Sequence, residues 1–468
     1  MNGNLLKLST ENLLEKFGAG NHKPGSGSAV AFQGMLSANL VHTVITLTTE
    51  EERRKYYGDW FSELLNKDQD ILDRIKPRLE RLFEEDSIQF DKVITLRDAR
   101  DEEKDLVKKS DYQIEHLKEL KIATEIPIEI AKLCKEVAEM ADYVFKYGFQ
   151  SARGDTCVAL NGAVSSIAGC ISIIDLNLLS FHSNEWTERI RSEVNQLMST
   201  YENLYQISIQ NSKSLKDEAK RKDLCQKEIN ALIKGIQAKT KFSNSDIEES
   251  ALQLQRIIWK HKDTIWKRNK PENPIDILKP GIVLKRTLGY QFYIATELGS
   301  NKSQKESNEI AGVINQKKKA IYISNRFPEE TQNFTAAHEL GHALFHKQTV
   351  IHRDRALDGS MNPQRSPREY QADKFAAYFL MPTRQIKEVF QEWFSTQKFI
   401  IDENTAFNLI KNRPSILKDR CKNLRGLSKR LASAEYFGPT PLTPMSKLFN
   451  VSVEAMAIRL EELELLEF

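Results

Sequence analysis

Residues 335–346, TAAHELGHALFH, place two histidines and a glutamate on one turn of a helix. His338 and His342 are four positions apart, so both imidazoles project from one helix face and can reach one zinc ion. Glu339 can reach a water beside that ion and act as a general base, and Gly341 would remove bulk there. An exposed helix with two surface histidines is the alternative, but four of the nine histidines fall between residues 338 and 352, which favours a metal site.

His346 continues the four-residue step and is a candidate third ligand. Positions eight apart on a straight helix are separated by roughly 12 Å along its axis, which is too far to share an ion with His338. The third ligand must therefore come from another element.

The segment SPREYQADKFAAYFLMP, residues 366–382, carries acidic residues on a helix with many apolar positions. Buried acidic side chains need partners, so Glu369 is assigned to the zinc ion. Asp373, four positions later, would accept a hydrogen bond from the far nitrogen of a ligand histidine and fix its tautomer. Ser366 and Glu369 also fit a capping box, so Glu369 has a second interpretation as a helix cap.

The two segments together resemble the ImmA/IrrE-like family of zinc metallopeptidases over roughly residues 250–468. The resemblance lies in HELGH paired with ExxADxFAxxxLMP, and in the stretches NPIDI, AIYIS and FNVSVEAMAIRLEEL. It implies a zincin-like fold and cleavage of cytoplasmic regulatory proteins. Residues 383–440 separate LMP from the closing helices, and a stretch around 398–430 resembles an insertion.

A second group of residues with possible chemistry lies in HKPGSGSAVAF, residues 22–32. The backbone N–H groups of Gly25, Ser26, Gly27 and Ser28 precede a helix and can hold an anion; a helix cap with a close packing contact is the alternative. Asp155 begins a helix of small residues, where an aspartate is ordinarily a cap. It gains a chemical role if it faces a cavity.

The stretches PGSGSA, GDTCVAL and IIDLNL resemble motifs of the cyclodeaminase/cyclohydrolase family that acts on tetrahydrofolate derivatives, in matching order over roughly residues 5–235. The resemblance implies a helical bundle that dimerises, Asp155 as catalytic carboxylate and the 25–28 loop as part of a folate pocket. Gly154 and Ser26 depart from the family's serine and glycine. An inactive domain kept for binding or dimerisation is the alternative.

The composition is that of a globular protein with more than one core, since 468 residues predict two or three domains. The net charge of +3 argues against a dominant nucleic-acid or membrane-surface role. Five cysteines without a C-x-x-C pair predict reduced thiols in a cytoplasm, and the N-terminal residues lack a signal-peptide pattern. Residues 158–181 are apolar enough for a membrane span, but Asn161 and Asp175 favour a buried bundle helix.

The elements that must position these residues change type along the chain. Residues 30–235 show helical periodicity, ending in a long amphipathic helix at 185–235. Two strand candidates, 290–296 and 320–324, precede the HELGH helix. We therefore predict a mainly α protein: an antiparallel helical bundle at 1–235, a linker at 236–246, and an α+β zincin-like domain with a small sheet at 247–468.

Residues 411–430 carry eight basic residues opposed only by Asp419. A solvated helix face is favoured over a patch for an acidic protein or nucleic acid. Several glutamates near the C-terminal end would repel phosphates, which also argues against nucleic acid as a partner.

The sequence thus favours a cytoplasmic zinc endopeptidase that cuts a regulatory or effector protein, with the bundle as a homodimerisation or ligand-sensing module, an arrangement suited to stress or phage defence. A folate cyclodeaminase or cyclohydrolase regulated by the peptidase half is the second hypothesis. A sensor or scaffold whose halves only bind is the third.

Overall fold

The computed structural model describes residues 5–266, 269–296, 310–347, 352–355 and 366–468. The chain divides into two compact units, Met1–Asp217 and Glu218–Phe468. The first unit is a helical bundle, and the second combines helices with small sheets. The predicted fold class is therefore confirmed.

The first unit is built from long helices joined by short connections. The helices are α1 Thr10–Phe17, α2 Ser26–Thr49, α3 Arg54–Tyr57, α4 Phe61–Asp70, α5 Lys76–Glu102, α6 Leu106–Tyr147, α7 Arg153–Leu178 and α8 Glu185–Gln237. Only three residues separate α5 from α6, which favours an antiparallel pair. Helices α2, α5, α6 and α7 supply most of the apolar core of this unit, and a π-helical turn at Ile71–Ile75 joins α4 to α5.

Glycines bring α7 close to α2. A Cβ on Gly162 would lie 2.5 Å from the Ser37 side-chain oxygen, and one on Gly169 would lie 2.6 Å from a Val30 methyl. Both helices are long and apolar enough to cross a membrane by length and composition, and half of each apolar window is buried inside the protein. Such burial is expected of core helices in a bundle.

The boundary between the units falls inside α8. The stripe predicted on this helix packs on the bundle core from Ile190 to Leu204, whereas Cys225, Ile229 and Ile236 belong to the core of the second unit. The compact units consequently divide after Asp217, earlier than the predicted domain end at 235. The predicted linker region holds the last residues of α8 and the capped start of the next helix at Ser243.

The second unit surrounds one apolar core with short helices. Its helices are α9 Asn244–Lys260, α10 Lys262–Ile265, α11 Pro280–Arg286, α12 Glu329–Phe345, α13 Pro367–Leu380, α14 Thr383–Phe394, α15 Glu403–Ile410, α16 Pro414–Cys421, α17 Leu424–Ala432, α18 Met445–Leu448 and α19 Val453–Glu462. Its strands are β1 Gln291–Ala295, β2 Ile310–Asn315, β3 Ala320–Ser324, β4 His352–Arg355, β5 Phe399–Ile400, β6 Tyr436–Phe437, β7 Thr440–Pro441 and β8 Leu466–Glu467. The helix α12 carries the HELGH residues.

The main sheet has the order β1-β3-β2-β4, with β1 parallel to β3 and the other pairs antiparallel. Both predicted strands are present as β1 and β3. The sequence did not predict β2, because Gly312 interrupts its β-branched pattern. The insertion-like stretch around 398–430 folds as β5, α15, α16 and most of α17, and β5 pairs with β8 at the end of the chain.

The basic stretch at 411–430 is partly neutralised by α19. Arg425 contacts Glu461 at 2.7 Å and Glu454 at 2.6 Å, and Lys429 also pairs with Glu454. These contacts lower the pKa of both glutamates. Glu454 and Glu461, two of the glutamates that were expected to repel phosphates, are therefore ion-pair partners of the basic residues.

Candidate metal centre

Helix α12 is buried from Thr335 to His342, so the polar residues in this segment must find partners inside the protein. The exposed fractions of His338, Glu339 and His342 are 3%, 0% and 0%. The surface-helix alternative for this segment is therefore excluded by the packing.

The two histidines and Glu369 converge on one point. The Nε2 atoms of His338 and His342 lie 2.9 Å apart. The Glu369 carboxylate oxygens lie 3.4 Å from His338 Nε2 and 3.5 Å from His342 Nε2. Ligand atoms from all three residues fall within 4.8 Å of one another, so α12 and α13 together form a two-histidine, one-carboxylate set.

This set fits a zinc ion. Zn–N and Zn–O bonds of about 2.0–2.1 Å in tetrahedral geometry keep neighbouring ligand atoms roughly 3.3 Å apart. The two distances to Glu369 agree with that spacing, and the separation of the Nε2 atoms requires only a small side-chain adjustment. Two imidazoles and one carboxylate also match the donors of catalytic zinc sites, which leave one position for water or substrate.

The sequence allowed Glu369 to be a helix cap, but in the structure Ser366 has the capping role. Ser366 is the N-cap of α13, and its hydroxyl accepts a hydrogen bond from the Glu369 backbone N–H at 3.4 Å. The Glu369 carboxylate lies against the histidines instead. The cap is thus made by the serine, while the glutamate side chain is placed where a ligand would be.

Asp373 lies on the far side of His338. Its carboxylate oxygen is 2.7 Å from His338 Nδ1. A proton on Nδ1 donated to this carboxylate leaves the Nε2 lone pair directed at the metal position, and this pairing raises the basicity of the imidazole. The geometry is the one predicted for a residue that fixes a ligand tautomer.

Glu339 lies against strand β2, at a place where only glycine fits. A Cβ on Gly312 would lie 2.9 Å from Glu339 Oε1 and 2.6 Å from the Thr335 methyl. Burial of the Tyr290 hydroxyl, and to a smaller extent the nearby charge of Glu339, raise the pKa of Tyr290 to about 12. Sequence reasoning missed this contact because it missed β2.

Gly341 does not face the metal position, contrary to our expectation. A Cβ at this residue would lie 3.1 Å from the Ala372 Cα and 3.2 Å from the Phe375 ring. The glycine therefore lets α13 approach α12 closely, which is what brings Glu369 to the histidines.

His346, excluded as a metal ligand by its spacing, is nonetheless part of the centre. Its Nδ1 lies 2.9 Å from His342 Nδ1, and its Nε2 lies 3.0 Å from the Gln371 side-chain oxygen. Burial lowers the pKa of His346 to about 4, so the imidazole is neutral near pH 7. The four-residue step from His342 was the signal in the sequence that pointed to this contact.

In the first unit, the residues 25–28 form the start of α2, and a carboxylate from the protein itself occupies this helix end. Gly25 is the N-cap and has no side chain to cap with. Asp86 lies 58 positions away from Ser28 and accepts a hydrogen bond from its hydroxyl at 3.0 Å. A Cβ on Gly27 would lie 2.0 Å from Asp86 Oδ1. Asp86 thus satisfies the helix end that was predicted to hold an external anion.

The Asp86 carboxyl is buried, which raises its pKa, whereas hydrogen bonds from the Ser28 side chain and backbone lower it. Gly27 and Ser28 are both buried, and these two of the four loop residues lie against Asp86. The closed, packed form of the loop agrees with the alternative interpretation, a cap with a close packing contact.

Asp155 lies in the first turn of α7 and is exposed. The helix dipole stabilises a negatively charged side chain at this position. The structure does not bring Asp155 together with the 25–28 loop through any contact among the described residues, so the two predicted parts of a folate site remain separate predictions.

Comparison with known protein families finds one match in the first part of the chain and a different match in the second part. Residues 9–196 match a family model described as formiminotransferase-cyclodeaminase, and residues 292–400 match one described as the IrrE N-terminal-like domain of a peptidase family. The two resemblances noted in the sequence are therefore confirmed.

Among curated proteins, a methenyltetrahydrofolate cyclohydrolase from Methylorubrum extorquens is 24% identical over 192 residues, which span 40% of this chain and 88% of that protein. Among solved structures, formiminotetrahydrofolate cyclodeaminase from Thermotoga maritima aligns with 16% identity and a TM-score of 0.39, over 45% of this chain and 98% of that one.

Proposed function

We propose that the chain is a zinc-dependent endopeptidase that cleaves a regulatory or effector protein in the cytoplasm. The observation that carries the proposal is the convergence of His338, His342 and Glu369 beside the buried Glu339. The match of residues 292–400 to a peptidase family supports it. Five free cysteines, typical of a reducing compartment, support the proposed location.

Residues of α12 and α13 have different roles in the proposed hydrolysis. A bound zinc ion supplies Lewis acidity toward water and the scissile carbonyl. Glu339 accepts a proton from the attacking water as its oxygen bonds to the carbonyl carbon, and it delivers a proton to the amide nitrogen as the C–N bond breaks. Asp373 holds the ring of His338 in its ligand orientation.

Removal of the metal tests this function directly. Zinc-loaded protein incubated with a cytoplasmic extract is expected to generate new protein N-termini, detected by terminal labelling and mass spectrometry. A chelator should abolish them and one equivalent of zinc per chain should restore them, because the donor set holds one ion. New termini that persist without metal, or none beyond those made by Glu339→Gln protein, would contradict the proposal.

The bundle has a proposed role in dimerisation. The outward face of α7 exposes Val158 to 59% and Leu176 to 67%, and such apolar surface is suited to a partner. A second copy is the proposed occupant, because the resemblance noted in the sequence over this unit implies a bundle that dimerises. Dimerisation places two zinc sites on one particle.

A charge on this face should separate the copies. The double variant Val158→Glu and Leu176→Glu is expected to run as a monomer in light scattering at micromolar concentration, while the unmodified chain runs as a dimer. Leu106→Glu is the matched control, since Leu106 is 81% exposed on another helix and should leave the dimer intact. A monomeric unmodified chain would disprove the dimer.

A folate cyclodeaminase or cyclohydrolase is the second candidate function, supported by the match of residues 9–196 and by the cyclohydrolase relative. In that function Asp155 is the catalytic carboxylate, and the loop from Gly25 to Ser28 borders the folate. Turnover of a methenyl- or formimino-tetrahydrofolate that is lost in Asp155→Asn would support it. Folate binding without turnover, and no proteolysis, would favour a sensor or scaffold.

A further inference from the structure

His342 is contacted on both of its ring nitrogens. Its Nε2 faces His338 Nε2 at 2.9 Å, where the metal position lies, and its Nδ1 faces His346 Nδ1 at 2.9 Å. The second contact is on the side of the ring away from the metal. It corresponds in place to the contact that Asp373 makes with His338 at 2.7 Å.

The proton positions in this chain of rings follow from hydrogen-bond geometry. A ligand Nε2 must present a lone pair, so the proton of neutral His342 is on Nδ1. His346 Nδ1 must then accept that proton's hydrogen bond. Its own proton is consequently on Nε2, and the Gln371 side-chain oxygen Oε1 accepts that hydrogen bond at 3.0 Å. One tautomer of His342 and one of His346 satisfy the Nδ1–Nδ1 contact and the contact with Gln371, and they leave the Nε2 lone pair of His342 for the metal.

The His346 ring is also held through its backbone. The Gln316 side-chain nitrogen donates to the carbonyl oxygens of His342 at 3.0 Å and of His346 at 2.9 Å. His346 is the C-terminal cap of α12 and is 7% exposed. Residues from the turn after β2 and from α13 thus fix the ring that faces His342.

The two histidines of the metal set have chemically different partners. His338 donates to the carboxylate of Asp373, whereas His342 donates to a neutral imidazole. A partner of this kind fixes the tautomer and orientation of a ligand histidine, and its loss typically lowers metal affinity about 10–100-fold.

We propose that His346, oriented by Gln371, is the positioning residue for the ligand His342: it accepts the Nδ1 proton and aims Nε2 at the zinc ion. This inference rests on the proposed zinc site. It gives His346 a place in the centre that does not require it to bind the metal.

Substitutions that separate hydrogen bonding from packing test the proposal. In His346→Leu the volume is largely kept, but the acceptor is lost. In His346→Asn the side-chain oxygen replaces Nδ1 as the acceptor. Gln371→Leu removes the group that orients His346 and leaves α12 unchanged. His261→Leu is the matched control, because His261 is 6% exposed in the same unit and contacts Glu228, away from the metal set.

Zinc affinity is measured by competition with a chromophoric chelator, and ligand geometry by the visible spectrum of the cobalt-substituted protein. We expect His346→Leu to bind zinc about 10–100-fold more weakly and to shift the cobalt bands. His346→Asn should restore affinity to within a few-fold and return the native spectrum. Gln371→Leu should show a smaller shift in the same direction, and His261→Leu should match the unmodified protein in both measurements.

Native zinc affinity and a native cobalt spectrum in both His346→Leu and Gln371→Leu would overturn the proposal. Equal losses in His346→Leu and His346→Asn would also overturn it, because they would indicate a packing role. A His342→Ala variant distinguishes these outcomes from failure of the zinc site itself. If His342→Ala binds zinc as tightly as the unmodified chain, the proposed metal set is wrong, whatever His346 does.

Discussion

Replacing Glu339 by glutamine is expected to reduce proteolysis by roughly a hundredfold or more while zinc remains bound. Glutamine keeps the size of the side chain and fits the space that Gly312 leaves beside it, but it cannot accept a proton from water. His338, His342 and Glu369 are unchanged, so the metal set stays complete. The rate is measured on a substrate identified by terminal labelling, and zinc content by metal analysis of the same samples.

The control for this variant is Glu329→Gln, which makes the same substitution in the exposed first turn of α12. It should retain full activity. Unchanged cleavage by Glu339→Gln would show that another group is the base. If the variant lost zinc together with activity, Glu339 would hold the site together and would not be a base.

Replacing Glu369 by alanine is expected to weaken zinc binding by roughly a hundredfold or more, since a lost ligand should cost at least as much as a lost outer-shell partner. The physical reason is the position of its carboxylate, 3.4 Å and 3.5 Å from the two Nε2 atoms. Zinc titration against a competing chelator measures the change. The combined variant His338→Ala and His342→Ala should bind no stoichiometric zinc and sets the lower limit of the titration.

Ser366→Ala is the matched control, because it removes the cap of the same helix without touching the metal set. It should cost about 1 kcal/mol of the free energy of unfolding and leave zinc affinity unchanged. If Glu369→Ala behaved in the same way, the glutamate would be a cap and the third ligand would have to be sought elsewhere.

The sequence alone determined the features that depend on spacing within one helix. His338 and His342 share a face because an α-helix repeats every 3.6 residues, and this holds in any fold that keeps α12 helical. The same periodicity predicted α8 and its apolar stripe. The strands β1 and β3 were predictable because their β-branched and aromatic residues are uninterrupted.

Local pattern was insufficient wherever one residue had two compatible roles. In the sequence Glu369 was assigned to the zinc ion but also fits a capping box, and the close packing of α13 on Gly341 is what directs its carboxylate to the histidines. The strand β2 was missed because Gly312 lowers strand propensity there. A glycine is needed at position 312 because a Cβ there would lie too close to the Glu339 side chain, which is distant in sequence.

Contacts between residues far apart in the chain were decided only by the tertiary structure. The helix end at Gly25 is satisfied by Asp86 from α5, and His346 is held by Gln316 and Gln371 from two other elements. Hydrogen bonds and close packing depend on distances of a few ångströms, which the spacing of residues along the chain does not specify once they lie on different elements. The helical spacing therefore determined which side chains can hold a metal, and the packing of α13 and β2 on α12 decided which groups complete and orient that set.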